Sequence, residues 1–207
     1  HFAEQNPQTD VGERALVNAF VAARAVGDTA QVYEMANQLA RQYPASKQLP
    51  GIYNSLAQTA TSRFEFDQAI DFLTRAAQVN EAQRTRILAA AAGLQVELGR
   101  ASKAESTFKA AAAQPDAPAR DTALAGLAIL VEKDKSASEI ISILKPYKDS
   151  PEPELQARLG LAYLANGDDV EAETAFSKVL VNQDTASAES LGRAHYGMAE
   201  IMRSTLQ

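Results

Sequence analysis

Few side chains in this 207-residue chain are of a kind that performs chemistry. Histidine, the usual proton carrier near neutral pH, occurs only as His1 and His195. A base or metal ligand needs converging partners, and nothing in the sequence groups such partners around His195, which reads as a surface or packing residue on a helix. There is no cysteine, so disulfides, thiolate metal sites and cysteine nucleophiles are ruled out. Asn166, Gly167, Asp168 and Asp169 bring oxygen ligands together, yet they lack the alternating spacing and terminal Glu of a calcium loop, and read as a turn. Glu171 and Glu173 are two apart on a helix, point to different sides, and cannot act as an acid–base pair. Phosphate-binding glycine loops, dinucleotide fingerprints, paired-histidine zinc motifs and nucleophile elbows are all missing from the sequence. The expectation is no catalytic residue, no cofactor, no metal site and no enzyme activity.

The elements that would carry these residues show an internal order. Ala57, Ala92, Gly126 and Gly160 are separated by 35, 34 and 34 positions. Ala69, Ala104, Ser138 and Ala172 each follow one of these marks by twelve, and Leu73, Phe108 and Phe176 come four later. Gly99 and Gly167 lie seven after Ala92 and Gly160. A period near 34 residues built from helical segments marks a stacked helical-repeat array.

The chain resembles the tetratricopeptide repeat family. Leu159, Gly160, Tyr163, Gly167 and Asp168 match the family's first helix and turn, and Ala172 and Phe176 follow at the expected offsets of the second helix. Tyr53, Leu56, Ala57, Ala60, Phe66, Ala69, Leu73 and Ala76 form a similar copy, with Phe64 where the turn glycine belongs. A third has Leu88, Ala91, Ala92, Gly99, Ala104, Phe108 and Ala111. The first copy keeps Gly27, Asp28 and Pro44 but puts Phe20 at a small-residue mark; the fourth keeps Gly126 and places Lys133, Ser138 and Ser142 at the other marks. The resemblance implies an all-α, right-handed superhelical α-solenoid of antiparallel helix pairs. It would comprise a flexible lead-in over 1–10 and a single array over 11–207. The repeats fall at about 13–47, 50–83, 85–118, 119–152 and 153–186, with a terminal helix near 186–204.

Capping and breaking residues fit that register. Asp10 with Glu13, Asn80 with Gln83, Ser136 with Glu139 and Asp168 with Glu171 have capping-box spacing. Gly27, Gly99 and Gly167 stand where helices should end, and Pro44, Pro115, Pro118, Pro146, Pro151 and Pro153 cluster between repeats. First helices are expected near 11–26, 49–63, 82–98, 118–132 and 152–166, and their partners near 29–43, 66–79, 101–113, 136–147 and 169–181. The segment 45–51 lengthens the first linker as a longer loop or an extra helical turn. Phe66, Leu73, Phe108 and Phe176 should fill the space between pairs, and a large residue at Gly160 or Ala92 should overpack it.

Composition sets the setting. Hydrophobic residues make up 46% and charged residues 22%, as in folded soluble domains. A net charge of −6 disfavours sequence-independent nucleic-acid binding, and no nucleic-acid partner is expected. The longest apolar run, 123–131, is far short of the ~20 residues that cross a bilayer. Because it begins at His1, the chain reads as a processed form or a fragment, with His1 a tag remnant. A signal peptide or membrane anchor could lie outside it. Its alanine-rich repeat style suggests a bacterial protein of the periplasm, cell envelope or cytoplasm, with a lean to the envelope.

In the family, one face of each first helix lines a concave groove that holds peptides or extended partners. Carried onto this chain, that face includes Asn54, Gln58, Thr61 and Ser62 of the second repeat, then Arg86, Ala89, Gly93, Val96 and Glu97 of the third. It continues through Arg120, Ala123, Leu127, Leu130 and Val131 of the fourth, and Glu154, Ala157, Leu161, Leu164 and Ala165 of the fifth. The Lys and Asn clamp by which some members grip a chaperone's C-terminal carboxylate is replaced here by Val17, Val21, Ala89 and Gly93, so that use is not expected. Two readings stand for Leu127, Leu130, Val131, Leu161 and Leu164: a hydrophobic binding patch, or residues buried within the monomer. Two stand for Gly93 as well, tight packing against a neighbouring helix or a bare backbone admitting a ligand. The terminal helix, with Leu191, Ala194, Met198, Ile201 and Met202 at helical spacing, reads as a solvating cap, an array cut mid-repeat, or a self-association surface.

The leading expectation is a non-enzymatic scaffold binding a protein or peptide in the groove within a larger assembly. The alternatives are an oligomerisation module that self-associates through the apolar C-terminal repeats, and the targeting arm of an enzyme whose catalytic domain lies elsewhere. Arg86 and Arg120 occupy equivalent repeat positions and suit either an acidic ligand group or nearby carboxylates of the chain itself. If they grip a ligand, replacing both by Ala with the fold intact weakens partner binding and flattens its salt dependence. An unchanged affinity and salt response would move the site towards Leu127 and Leu164.

Overall fold

The computed structural model describes residues 9–114 and 117–206, and every described element is helical. The lead-in expected over 1–10 lies outside the described residues up to position 8, as do His1 and Pro115. Eleven α-helices follow among the described residues: α1 (Asp10–Val26), α2 (Thr29–Gln42), α3 (Leu49–Ser62), α4 (Phe66–Val79), α5 (Arg84–Glu97), α6 (Ala101–Ala112), α7 (Ala117–Glu132), α8 (Ala137–Leu144), α9 (Pro153–Asn166), α10 (Asp169–Val181) and α11 (Ala188–Thr205). Short 3₁₀ turns, Glu81–Gln83 and Lys145–Tyr147, precede α5 and follow α8. These limits agree with the expected helices to within about three residues.

The chain forms two compact units, His1–Ile87 and Leu88–Gln207. In the first, α1 packs on α2, α2 on α3, and α3 on α4. Its core is built from stripes at helical spacing: Leu16, Phe20 and Ala23 on α1, Val32, Ala36 and Leu39 on α2, Ile52, Leu56 and Ala60 on α3, and Ala69, Phe72 and Ala76 on α4. Phe72 takes the buried aromatic place expected for Phe66 and Leu73, which are only half-buried; its ring centroid lies 5.3 Å from that of Tyr33. The lengthened first linker is a loop. It is pinned by Ser46, whose buried hydroxyl donates to Glu13 Oε1 at 2.6 Å.

In the second unit α9 is the hub, packed by α7, α8, α10 and α11. It is buried on nearly every side, through Leu155, Ala157, Leu159, Ala162 and Tyr163 and even Gln156 and Arg158. Two rings set the helix spacing. A Cβ on Gly126 would sit 2.6 Å from Cε1 of Phe108, and one on Gly160 would sit 2.5 Å from Cε1 of Phe176. A Cβ on Gly197 of α11 would strike the other edge of Phe176, so that ring is held between glycines of two first helices. Glycine is required at these marks because a methyl group would occupy the ring's volume.

The turns bear out the repeat reading and show one departure. Gly27, Gly99 and Gly167 have φ of 76°, 69° and 84°, the left-handed geometry that ends a helix at little cost only in glycine. At the equivalent point Phe64 has φ 61°, which costs a side-chain-bearing residue about 1–2 kcal/mol. An edge-on contact with Phe66, centroids 6.0 Å apart, offsets part of that cost. Of the four expected capping boxes, only Ser136 with Glu139 is complete. Thr9, not Asp10, caps α1 by accepting from Gly12 N at 3.1 Å. Asn80 caps the 3₁₀ turn before α5, accepting from Gln83 N. Asp168 makes no cap hydrogen bond; its carboxylate accepts from Asn166 Nδ2 at 2.8 Å instead.

Gly93 has no packing reason, since a Cβ there would meet nothing within 4 Å. Gly93→Ala is therefore expected to raise stability by about 1 kcal/mol in urea unfolding followed by circular dichroism. Gly160→Ala, against the Phe176 ring, should lower it by ~1–3 kcal/mol in the same measurement. Equal effects of the two changes would contradict this account of the glycine marks.

Candidate functional site

The residues expected to line a groove meet different fates. On α3, Gln58, Thr61 and Ser62 are exposed and Asn54 is half-buried. The hydroxyls are tied back to their own helix: Thr61 Oγ1 donates to Ala57 O at 2.8 Å and Ser62 Oγ to Thr59 O at 2.8 Å. Back-bonding of this kind satisfies a hydroxyl without fixing it to a ligand. Among the described residues, the amides of Asn54 and Gln58 make no side-chain hydrogen bond, so both keep a free donor and a free acceptor one turn apart. Arg86, also in the first unit, is exposed on α5.

In the second unit the corresponding face is filled by the chain itself. Leu127 is 0% exposed and Leu130 9%, and Val131 and Ala123 are equally sequestered. These side chains form the core around α9, so of the two readings open for them burial is the one observed. They do not form a groove surface. Leu161 and Leu164 are half-buried and pack against that same core. Glu97 is exposed, and Arg120 is half-buried with its Nε out of reach of water and without a hydrogen-bond partner. Arg86 and Arg120 belong to different units, and each stands in its own surroundings.

Charge occupies the rest of this face. Arg158 of α9, 5% exposed, ion-pairs with Glu154 one turn before it, with Glu132 at the end of α7 at 2.9 Å, and with Glu189 of α11 at 3.9 Å. Arg193 of α11 reaches Glu189 at 2.7 Å, Glu132 at 3.3 Å and Glu154 at 4.0 Å. Ser190 Oγ and Ser187 Oγ donate to Glu154 as well. Burial lowers the Arg158 pKa while Glu132 and Glu189 oppose that shift. Three carboxylates and two guanidinium groups thus link three first helices. Sequence reasoning missed this lattice, although Glu154 with Arg158 and Glu189 with Arg193 repeat the same one-turn pair 35 positions apart.

Beside the lattice, Ser150 is buried and its hydroxyl donates to Asp121 Oδ1 at 3.3 Å. Glu152 caps α9 through the amide of Glu154 at 3.2 Å. Burial, with the Asp121 carboxylate nearby, pushes the Glu152 pKa up to about 7. Among the described residues no group of three or more His, Asp or Glu could hold a metal ion, and His195 is exposed. The features present suit non-covalent contact: free amides in the first unit and an ionic network in the second.

A folded pKa of about 7, above the ordinary 4.5, means that the folded state holds this proton more tightly than the unfolded one. The contribution of Glu152 is thus fully present below pH 4.5, declines as pH rises towards 7, and is flat beyond. Glu152→Gln removes the dependence. After solvent screening it should stabilise the chain by roughly 1 kcal/mol at pH 8 and by much less at pH 5, as measured by denaturant unfolding at the two pH values. An equal effect at both would show that Glu152 ionises normally.

No protein-family model matches the sequence, and no curated protein matches it either. The chain is similar to several solved structures. One, described as the functional characterisation of Pseudomonas aeruginosa pilF, has 14% identity over 92% of this chain and 90% of that one, with a TM-score of 0.49. Another, PilW, described as a widely conserved type IV pilus biogenesis factor, has 14% identity over 96% of this chain and 100% of that one, with a TM-score of 0.43. A tetratricopeptide repeat protein from Parabacteroides merdae has 18% identity over 92% and 76%, with a TM-score of 0.45. The repeat class follows from the chain itself. Small residues recur every 34–35 positions, left-handed glycines close first helices, and rings seat on glycine marks: the fold is an all-α array of helical repeats.

Proposed function

We propose that the chain is a non-enzymatic interaction scaffold that holds an extended segment of a partner protein, with α3 of the first unit as the contact face. The observation that carries this reading is the pair of unpartnered amides, half-buried Asn54 and exposed Gln58, one helical turn apart. A primary amide can donate to and accept from a peptide unit at once, and two in a row can follow an extended backbone. Exposed Arg86 adds a donor for a carboxylate of that segment. No helix among the described residues is long and apolar enough to cross a membrane. The setting we favour is a bacterial cell envelope, which fractionation of the native protein tests.

A photo-crosslinking residue at exposed Thr61 on α3 should capture one defined partner in cells, whereas the same residue at exposed Lys103 on α6 should not. Asn54→Ala in the Thr61 crosslinker background should reduce the yield severalfold. Equal capture from both positions, or a yield unaffected by Asn54→Ala, would overturn the reading.

A second reading, self-association, is favoured by α11. Along one side, α11 and its C-cap expose Met202 at 60% and Leu206 at 88%, in line with half-buried Leu191 and Met198. Light scattering over a concentration series decides it: a strict monomer eliminates the reading, and a dimer abolished by Met202→Glu supports it.

A further inference from the structure

Among the described residues, Phe64 is the one side chain other than glycine held at a positive φ, and it is 80% exposed. Neither property helps the fold. Four turns that follow first helices are closed by the same hydrogen bond: Asp28 N to Ala23 O at 3.0 Å, Glu65 N to Ala60 O at 2.8 Å, Arg100 N to Gln95 O at 2.8 Å, and Asp168 N to Tyr163 O at 2.9 Å. That bond imposes a left-handed residue just before the donor, and the other three turns supply glycine there. At Phe64 a ring takes the strained position and is left in water, where burial returns almost nothing for it.

Strain kept at an exposed side chain points to function rather than packing. We propose that Phe64, with Val26 beside it, anchors an apolar side chain of the partner segment held along α3. The ring stands on a fixed base. Arg63 pairs with Glu65 at 3.0 Å and donates from Nη1 to Thr29 Oγ1 at 2.6 Å, and the Tyr33 hydroxyl donates to the same Glu65 carboxylate at 3.3 Å. These contacts tie the turn of Phe64 to the preceding one, where Val26 is also 80% exposed. Phe66 steadies the ring by its edge-on contact. An aromatic group set in place beforehand loses little freedom on binding, and such groups dominate the energy of protein contacts.

Neighbouring charge favours a protein over a bilayer. Anionic lipid attracts clustered cations, but here Arg63 is neutralised by Glu65, and exposed Asp28 and Asp67 outnumber exposed Arg24. The anchor is also continuous with the amides of α3. Phe64 lies about 9 Å beyond Gln58 at 1.5 Å per residue. Extended chain covers that distance in about three residues. The partner segment therefore carries an uncharged polar stretch and, about three residues on, an aliphatic or aromatic side chain.

This inference rests on the scaffold reading for the course of the segment, and its test separates the two. A photo-crosslinking residue is placed at exposed Ala30, next to Thr29 and outside the anchor itself. It should capture the same partner as the residue at Thr61. Phe64→Gly should cut the Ala30 yield severalfold and yet shift the urea midpoint upward, a pair of opposite signs that a packing role cannot give. Phe64→Leu, as strained but still apolar, should retain most of the yield. Capture at Ala30 that depends on Phe64, with none at Thr61, upholds the anchor and ends the α3 reading; capture at Thr61 alone does the reverse. A different protein captured at Ala30, an undiminished yield in Phe64→Gly, or a midpoint that stays or falls overturns the proposal. So does co-sedimentation with phosphatidylglycerol vesicles, or a dimer in light scattering, that Phe64→Gly abolishes, since the occupant is then a bilayer or a second copy.

Discussion

Helix spacing in the second unit depends on one kind of contact, an aromatic ring seated on a glycine. Phe176 is entirely buried, lies against Gly160 of its own first helix, and meets Gly197 of the next. Phe108 makes the matching contact with Gly126. A dense interior cannot absorb an extra methyl group at such a point, so the ring fixes how closely neighbouring helices approach. Close approach in turn buries α9 on nearly every side. It also brings α7, α9 and α11 near enough for their charged side chains to meet.

The ionic lattice is a product of that geometry. Arg158 is almost without solvent, and a guanidinium in that position is tolerated only because carboxylates from three helices surround it. Of the positions that resemblance assigns to ligands in the second unit, Leu127, Leu130, Val131 and Ala157 are buried in the core, while α3 in the first unit keeps its amides free.

Much of the fold was legible in the sequence because its determinants are local. The glycine turns at Gly27, Gly99 and Gly167 and the complete capping box at Ser136 each involve residues within one turn of each other. The helix limits follow from them. Side-chain burial was less legible. Leu127 and Leu130 occupy family groove positions, yet bury because α9 lies close against α7, a tertiary contact that no local pattern at these positions reports. Phe72 displaced Leu73 for a similar reason, as Tyr33 of α2 offers a ring to pack on. Of the two readings of Gly93, packing is the one the structure removes, because small size does not by itself reveal a neighbour. The lattice escaped notice since a one-turn Glu and Arg pair is common on solvated helices, and only tertiary proximity turns two such pairs and Glu132 into one network.

That network constrains how the sequence can drift. Losing one charge strands its partners in a poorly solvated place, whereas exchanging the whole set for apolar residues of similar size is close to neutral. Intermediate genotypes are therefore the unfit ones, and substitutions at Glu132, Glu154, Arg158, Glu189 and Arg193 are epistatic. Lineages of this repeat should hold all five charges or have exchanged them together, with few halfway forms between.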